Sequence, residues 1–166
     1  MLTPLGSLTT VTSLPAYELA EYCYYRMFTI CVSLTNLPEL PEFSSLAIGC
    51  FKSMFQYCYA LETAPRLWVQ SLAADCFQGM FYSCTNLSSV RLVINDPKMD
   101  ESFTFNPELY FFNWLNGAGT KADSPQLFLG ASILNYYDYL SYINSGYLNN
   151  DNYFPANWSV PTYSEN

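Results

Sequence analysis

Leu46-Ala47-x-x-Cys50-Phe51-x-x-Met54-Phe55-x-x-Cys58-x-x-Leu61-x-x-Ala64 decides the fold, because the same frame stands on both sides of it. Upstream it reads Leu19-Ala20-x-x-Cys23-Tyr24-x-x-Met27-Phe28-x-x-Cys31-x-x-Leu34-x-x-Leu37. Downstream it reads Leu72-Ala73-x-x-Cys76-Phe77-x-x-Met80-Phe81-x-x-Cys84-x-x-Leu87-x-x-Val90. A truncated copy opens the chain, with Leu8, Val11 and Leu14 at the positions of Leu34, Leu37 and Leu40. Successive copies lie 26, 27 and 26 residues apart, the extra residue falling in Pro41–Ser45. A unit this short cannot bury its apolar face alone, so the copies must stack.

Each unit has two halves. Positions 19, 20, 23, 24, 27, 28 and 31 form a four-residue stripe that suits one face of a helix. From Leu34 to Leu40 the apolar steps shorten, with Thr, Asn, Pro and Glu between them, as in a short strand and turn. A period of 20–29 residues with one strand and one helix per unit is the leucine-rich-repeat pattern. The predicted fold is therefore an α/β repeat: a short leucine-rich-repeat solenoid over residues 1–94, one partial and three full copies. Asn95-Asp96-Pro97 marks a boundary. Residues 95–166 are then a C-terminal capping and interaction segment, an aromatic α/β cap. Within it, Ile133, Tyr136, Tyr137, Leu140 and Ile143 predict a helix over 132–144, with Ser132 as N-cap and Gly146 near its stop.

Met27-Phe28-x-x-Cys31-x-x-Leu34-x-x-Leu37 and its two later copies resemble the BspA-like leucine-rich-repeat surface proteins of gut anaerobes. The Leu-Ala-x-x-Cys-aromatic segments and the ends Leu37-Pro38-Glu39-Leu40 and Ala64-Pro65-Arg66-Leu67 share in that resemblance. It covers residues 8–94, and reaches Asn113–Gly117 and Phe154–Val160, which look like the closing cap of such arrays. Val90-Arg91-Leu92 departs from it, lacking the proline. The resemblance implies a binding role and no catalytic residue.

Composition narrows the function by exclusion. Among 166 residues, 14 are acidic and 6 basic, net −8, which opposes nucleic acid or an anionic membrane as partner. The absence of histidine removes Ser-His, Cys-His and imidazole-metal chemistry. Apolar runs fall short of the ~20 residues that span a bilayer. Met1–Ser7 has neither a basic n-region nor an apolar h-region, so no signal peptide is expected in this chain. No phosphate-cradling glycine loop or nucleophile elbow occurs, and Asp100-Glu101 and Asn149–Asn152 read as a solvated loop and a turn. No enzyme activity, cofactor or metal is expected. Six cysteines at Cys-x7-Cys spacing are expected as buried free thiols, because a helix would hold each pair about 12 Å apart.

What remains is recognition or assembly. Between the apolar strand positions, outward columns run Thr10, Asn36, Thr63, Ser89; then Thr12, Pro38, Pro65, Arg91; then Ser13, Glu39, Arg66, Leu92. Glu39 and Arg66 are thus expected as cross-strand neighbours, and Glu39, Arg66 and Arg91 as interaction residues. Residues 95–166 hold eight of the fifteen tyrosines and two of the three tryptophans, so Tyr139, Tyr142 and Tyr147 are expected at an interface. The expected partners are proteins of a common assembly, a second copy, or a host-surface ligand. Two classes fit: a virion subunit such as a bacteriophage fibre or decoration protein, and the binding domain of a bacterial adhesin. The expected location is a virion or extracellular surface.

Overall fold

The computed structural model describes residues 5–14, 18–95, 107–130, 155 and 157–161. Its architecture corrects the predicted strand-plus-helix solenoid. Among the described residues the one α-helix is α1, the five residues Pro107–Phe111, and it lies outside all three cysteine repeats. Among the described residues the regular strands are β1 (Leu67–Val69), β2 (Ser89–Ile94) and β3 (Gln126–Leu129), a three-stranded parallel sheet in the order β1-β2-β3. A single 3-10 turn occupies Leu5–Ser7. The predicted capping helix over 132–144 lies outside the described residues.

The four-residue stripe forms a chain of turns. The N–H groups of residues 23, 25, 27, 29 and 31 each donate to the carbonyl three residues back, at 3.0–3.3 Å. The N–H groups between them, on residues 22, 24, 26, 28 and 30, donate to carbonyls 48, 50, 52, 54 and 56 of the next copy, at 2.8–3.1 Å. Residues 49–57 repeat this onto 74–82. An α-helix would spend every interior N–H on its own chain. Here half of them tie one layer to the next, so stacking is a backbone property. The alternation needs a left-handed residue every fourth position: Tyr22, Arg26 and Ile30, then Gly49, Ser53 and Tyr57, then Asp75, Gly79 and Ser83, all with φ between 55° and 65°.

A fourth layer follows that the repeat frame does not display. The N–H groups of Asp75, Phe77, Gly79, Phe81 and Ser83 donate to the carbonyls of Leu109, Tyr110, Phe112, Trp114 and Asn116, with Asn113 and Gly117 again at positive φ. Phe111, Trp114, Leu115 and Ala118 fill the core positions of this layer. The Asn113–Gly117 segment is a course of the stack. The ladder continues through β3 to Ser159, which bridges Gln126 in parallel.

Layering at the spacing of a β-ladder, about 4.8 Å, places like side chains over like. Tyr24, Phe51, Phe77 and Phe111 stack with centroids 5.7, 6.0 and 5.3 Å apart, and Phe28, Phe55 and Phe81 at 5.6 and 5.7 Å. Such offset aromatic pairs contribute about 0.5–1.5 kcal/mol each beyond area burial. The cysteines form two columns in the same core, and all six are free. Helical separation does not keep them so, since consecutive layers bring their backbones close. Instead the Cys58 thiol donates to the Phe28 carbonyl at 3.2 Å, and that of Cys84 to the Phe55 carbonyl at 3.0 Å.

Candidate functional site

The sheet presents its second face to solvent. In β2, Val90, Leu92 and Ile94 enter the core, so Ser89, Arg91 and Val93 face outward, beside Trp68 of β1 and Phe128 of β3. Val93 is nonetheless buried on this outer side, paired in register with Trp68. Glu39, Glu42, Thr63, Arg66, Trp68, Ser89 and Arg91 line an open groove of about 580 Å³ there. The three charged residues expected from the outward columns thus share one surface.

Their pairing differs in detail from the columns. Thr10↔Asn36 and Thr63↔Ser89 are bridged as the first column has it. Beyond that, Leu67 pairs with Leu92, so three residues of one strand, Ala64–Arg66, span the same step as Val90-Arg91. Pro65 lies in this extra step, where its missing N–H breaks the ladder. Arg66 therefore comes level with Arg91 in the ladder, and both line the groove. Glu39 does neighbour Arg66, but its Oε2 accepts from the backbone N–H of Arg66 at 3.4 Å. The ion pair found among the described residues is elsewhere, Lys52 with Asp75 at 3.0 Å.

Each arginine rests on an aromatic ring. The Arg66 guanidinium lies 3.9 Å from the Trp68 centroid, and that of Arg91 lies 5.3 Å from the Phe128 centroid. Such contacts hold the side chains in place and are worth about 0.5–1 kcal/mol at exposed sites. A ring contact of this kind engages the guanidinium charge without consuming its N–H donors. Among the described residues neither guanidinium has a hydrogen-bond or carboxylate partner. Trp68, Phe128 and Glu42 were not singled out from the sequence. The strict alternation Leu67-Trp68-Val69 was the signal for Trp68, since it puts a large flat ring on the polar face.

A second surface lies at the open end of the first layer. Carbonyls 48, 50, 52, 54 and 56 of the second layer each receive an N–H from the first. Their counterparts one layer up are the carbonyls of Glu21, Cys23, Tyr25, Met27 and Thr29. None of these five has a hydrogen-bond partner among the described residues. Around this row Tyr22, Tyr25, Met27 and Ile30 are exposed, and Arg26 and Glu21 flank them. Tyr139, Tyr142 and Tyr147 lie outside the described residues.

Burial disfavours the thiolate form of these cysteines. It pushes Cys50 and Cys58 up to about 12 and raises Cys76 and Cys84 well above the ordinary value, with smaller contributions from the neighbouring thiol of each column. Cys23 and Cys31, in the open layer, are raised less. Nucleophilic and metal-binding cysteines need the opposite shift. Among the described residues no three of Cys, Asp and Glu gather as metal ligands, and no helix is long and apolar enough to cross a membrane. No protein-family model, curated protein or solved structure matches the chain.

Proposed function

We propose that this chain is a non-catalytic structural and recognition module, a subunit of a larger assembly of the kind to which bacteriophage fibre and decoration proteins belong. The row of five unpartnered carbonyls at the open end carries the reading. An unpaired edge of this sort is a template for another chain. The groups it offers are acceptors only, so two such ends cannot pair through their backbones. The complementary surface must donate an N–H on every second residue, as each layer of this molecule does for the next. The exposed tyrosine, methionine and isoleucine supply the apolar contact that such a joint buries. The adhesin alternative draws on the family resemblance, whose strand-plus-helix unit this chain does not build.

Tyr25→Lys with Met27→Lys tests this, because charge on an edge blocks pairing. The double variant should keep the wild-type near-ultraviolet spectrum and melting temperature to within a few degrees. Its recovery in sedimented native particles should fall at least tenfold. Wild-type recovery of the folded variant would overturn the reading.

A further inference from the structure

We infer that the outer-face groove binds an anionic saccharide, a pyranose bearing one carboxylate per recognised unit. The inference rests on the recognition role proposed above and gives it a ligand class. Its first support is charge. A chain with 14 acidic residues places two of its six basic ones at level positions of neighbouring strands in one groove, each against an aromatic ring, and among the described residues neither has a carboxylate partner. A guanidinium whose N–H donors are not taken up matches a planar carboxylate, which accepts two of them.

The same groove excludes the alternatives. Glu39 and Glu42 line it beside the arginines. They would repel a polyphosphate or a densely anionic chain, and the net charge of −8 adds to that repulsion. Their carboxylate oxygens, one of which already accepts from the Arg66 N–H, instead accept from hydroxyls, so the ligand carries one anion among several donors. Trp68 adds flat apolar surface for the C–H face of a ring. A peptide adding as a strand would need free ladder groups, but β2 is paired on both sides within the sheet. An acid sugar offers a carboxylate to the arginines and hydroxyls to the glutamates.

Titration of the intact chain, followed by Trp68 fluorescence and calorimetry, tests the assignment. The probes are oligosaccharides ending in glucuronate, galacturonate or N-acetylneuraminate, their carboxyl-reduced neutral counterparts, and an acidic hexapeptide. At least one acid sugar should bind, with its neutral counterpart at least tenfold weaker. Arg66→Ala and Arg91→Ala should each weaken it at least tenfold, and Arg66→Lys by less, since charge survives without the planar fork. Near-ultraviolet spectra confirm that each variant is folded. Where Arg66→Ala is unfolded, the Arg91→Ala and Arg66→Lys results decide. Equal binding of acid and neutral sugars, tighter binding of the peptide, or no binding by the wild type would overturn the inference. None of those results touches the assembly reading, whose measure is particle recovery of the Tyr25/Met27 variant.

Discussion

At equivalent positions of the frame, Met27 in the first layer is 43% exposed, whereas Trp114 in the fourth is wholly buried. Both layers are built from the same four-residue step, with left-handed residues at matching positions and core side chains pointing the same way. They differ in what lies beyond them. The fourth layer is closed at its Ala118–Gly119 end, where Trp158 packs with its indole N–H donating to the Ala118 carbonyl at 3.1 Å, and a Cβ on Gly119 would meet Trp158 and the Leu87 carbonyl. The first layer ends on five carbonyls that have no hydrogen-bond partner among the described residues. The step is therefore self-propagating, and a stack of this kind stops only where some other group satisfies its edge.

The largest expected effect is alkaline unfolding, and it should travel along the same axis. The folded state holds the protons of Cys50 and Cys58 to about 12, against an ordinary value of 9.0. Above pH 9 the unfolded chain sheds those protons and the folded one does not, so stability, intact below 9, falls between 9 and 12. Urea midpoints should be flat up to pH 8.5 and decline steeply above it. Alkylation of the native protein at pH 9 should modify Cys23 first and Cys84 last, and denaturation without reductant should release all six thiols. Uniform alkylation would mean that both ends are equally closed.

Core truncations come next. Trp114→Ala should cost about 3–5 kcal/mol in urea unfolding. Phe28→Ala deletes a ring with an aromatic neighbour on one side only, Phe55, and should cost clearly less. Equal costs would show that the first layer is covered in solution by another copy of the chain.

Substitutions at the left-handed positions are smaller but discriminate by sign. In a helix, Gly49→Ala would stabilise by about 1 kcal/mol and Ile30→Gly would destabilise by a similar amount. In the turn chain Gly49 has φ +58° and a Cβ there would strike the Tyr22 ring, so Gly49→Ala should destabilise. Ile30, at φ +65°, carries a conformational cost of about 1–2 kcal/mol that glycine relieves, so Ile30→Gly should stabilise. Thermal melts of both variants check the two signs together.

That reversal explains how much of the fold the sequence showed. The copy spacing, the stacking and the core were legible, since Phe51, Phe55, Cys58 and Leu61 recur whatever the backbone does. The helix was misread because positions 20, 23, 24, 27, 28 and 31 satisfy a 3.6-residue stripe and a four-residue step equally. The deciding residues stood between the apolar ones. Gly49, Ser53, Asp75, Gly79, Ser83, Asn113 and Gly117 are small or turn-forming, as a left-handed position favours, although Tyr22, Arg26, Ile30 and Tyr57 fill the same columns. The fourth layer stayed hidden because 34 residues, where 26 is usual, separate Phe77 from its partner Phe111, and Trp114 stands where the frame has Met. Glu39, Arg66 and Arg91 were legible as surface charges. Their neighbours were not, because a one-residue step at Pro65 shifts the register.

The smallest expected effect asks which end of the molecule the assembly uses. Tyrosine-rich sequence over 136–147 argues for a contact there, since aromatic side chains dominate binding energy. The buried fourth layer argues that part of the C-terminal chain is already spent on covering it. Only the remainder is available to a partner, so Tyr139→Ala with Tyr142→Ala should weaken assembly by about 1 kcal/mol and leave the fold intact. Tyr25→Lys with Met27→Lys should act more strongly, because it removes a joint that backbone and side chains make together. Particle recovery of the two double variants, measured side by side, ranks the surfaces. Should the tail variant fail to fold, those tyrosines belong to the closure of the fourth layer. Should it fold and assemble less well than the lysine variant, the principal contact lies at the closed end, and the open carbonyls are met by water alone.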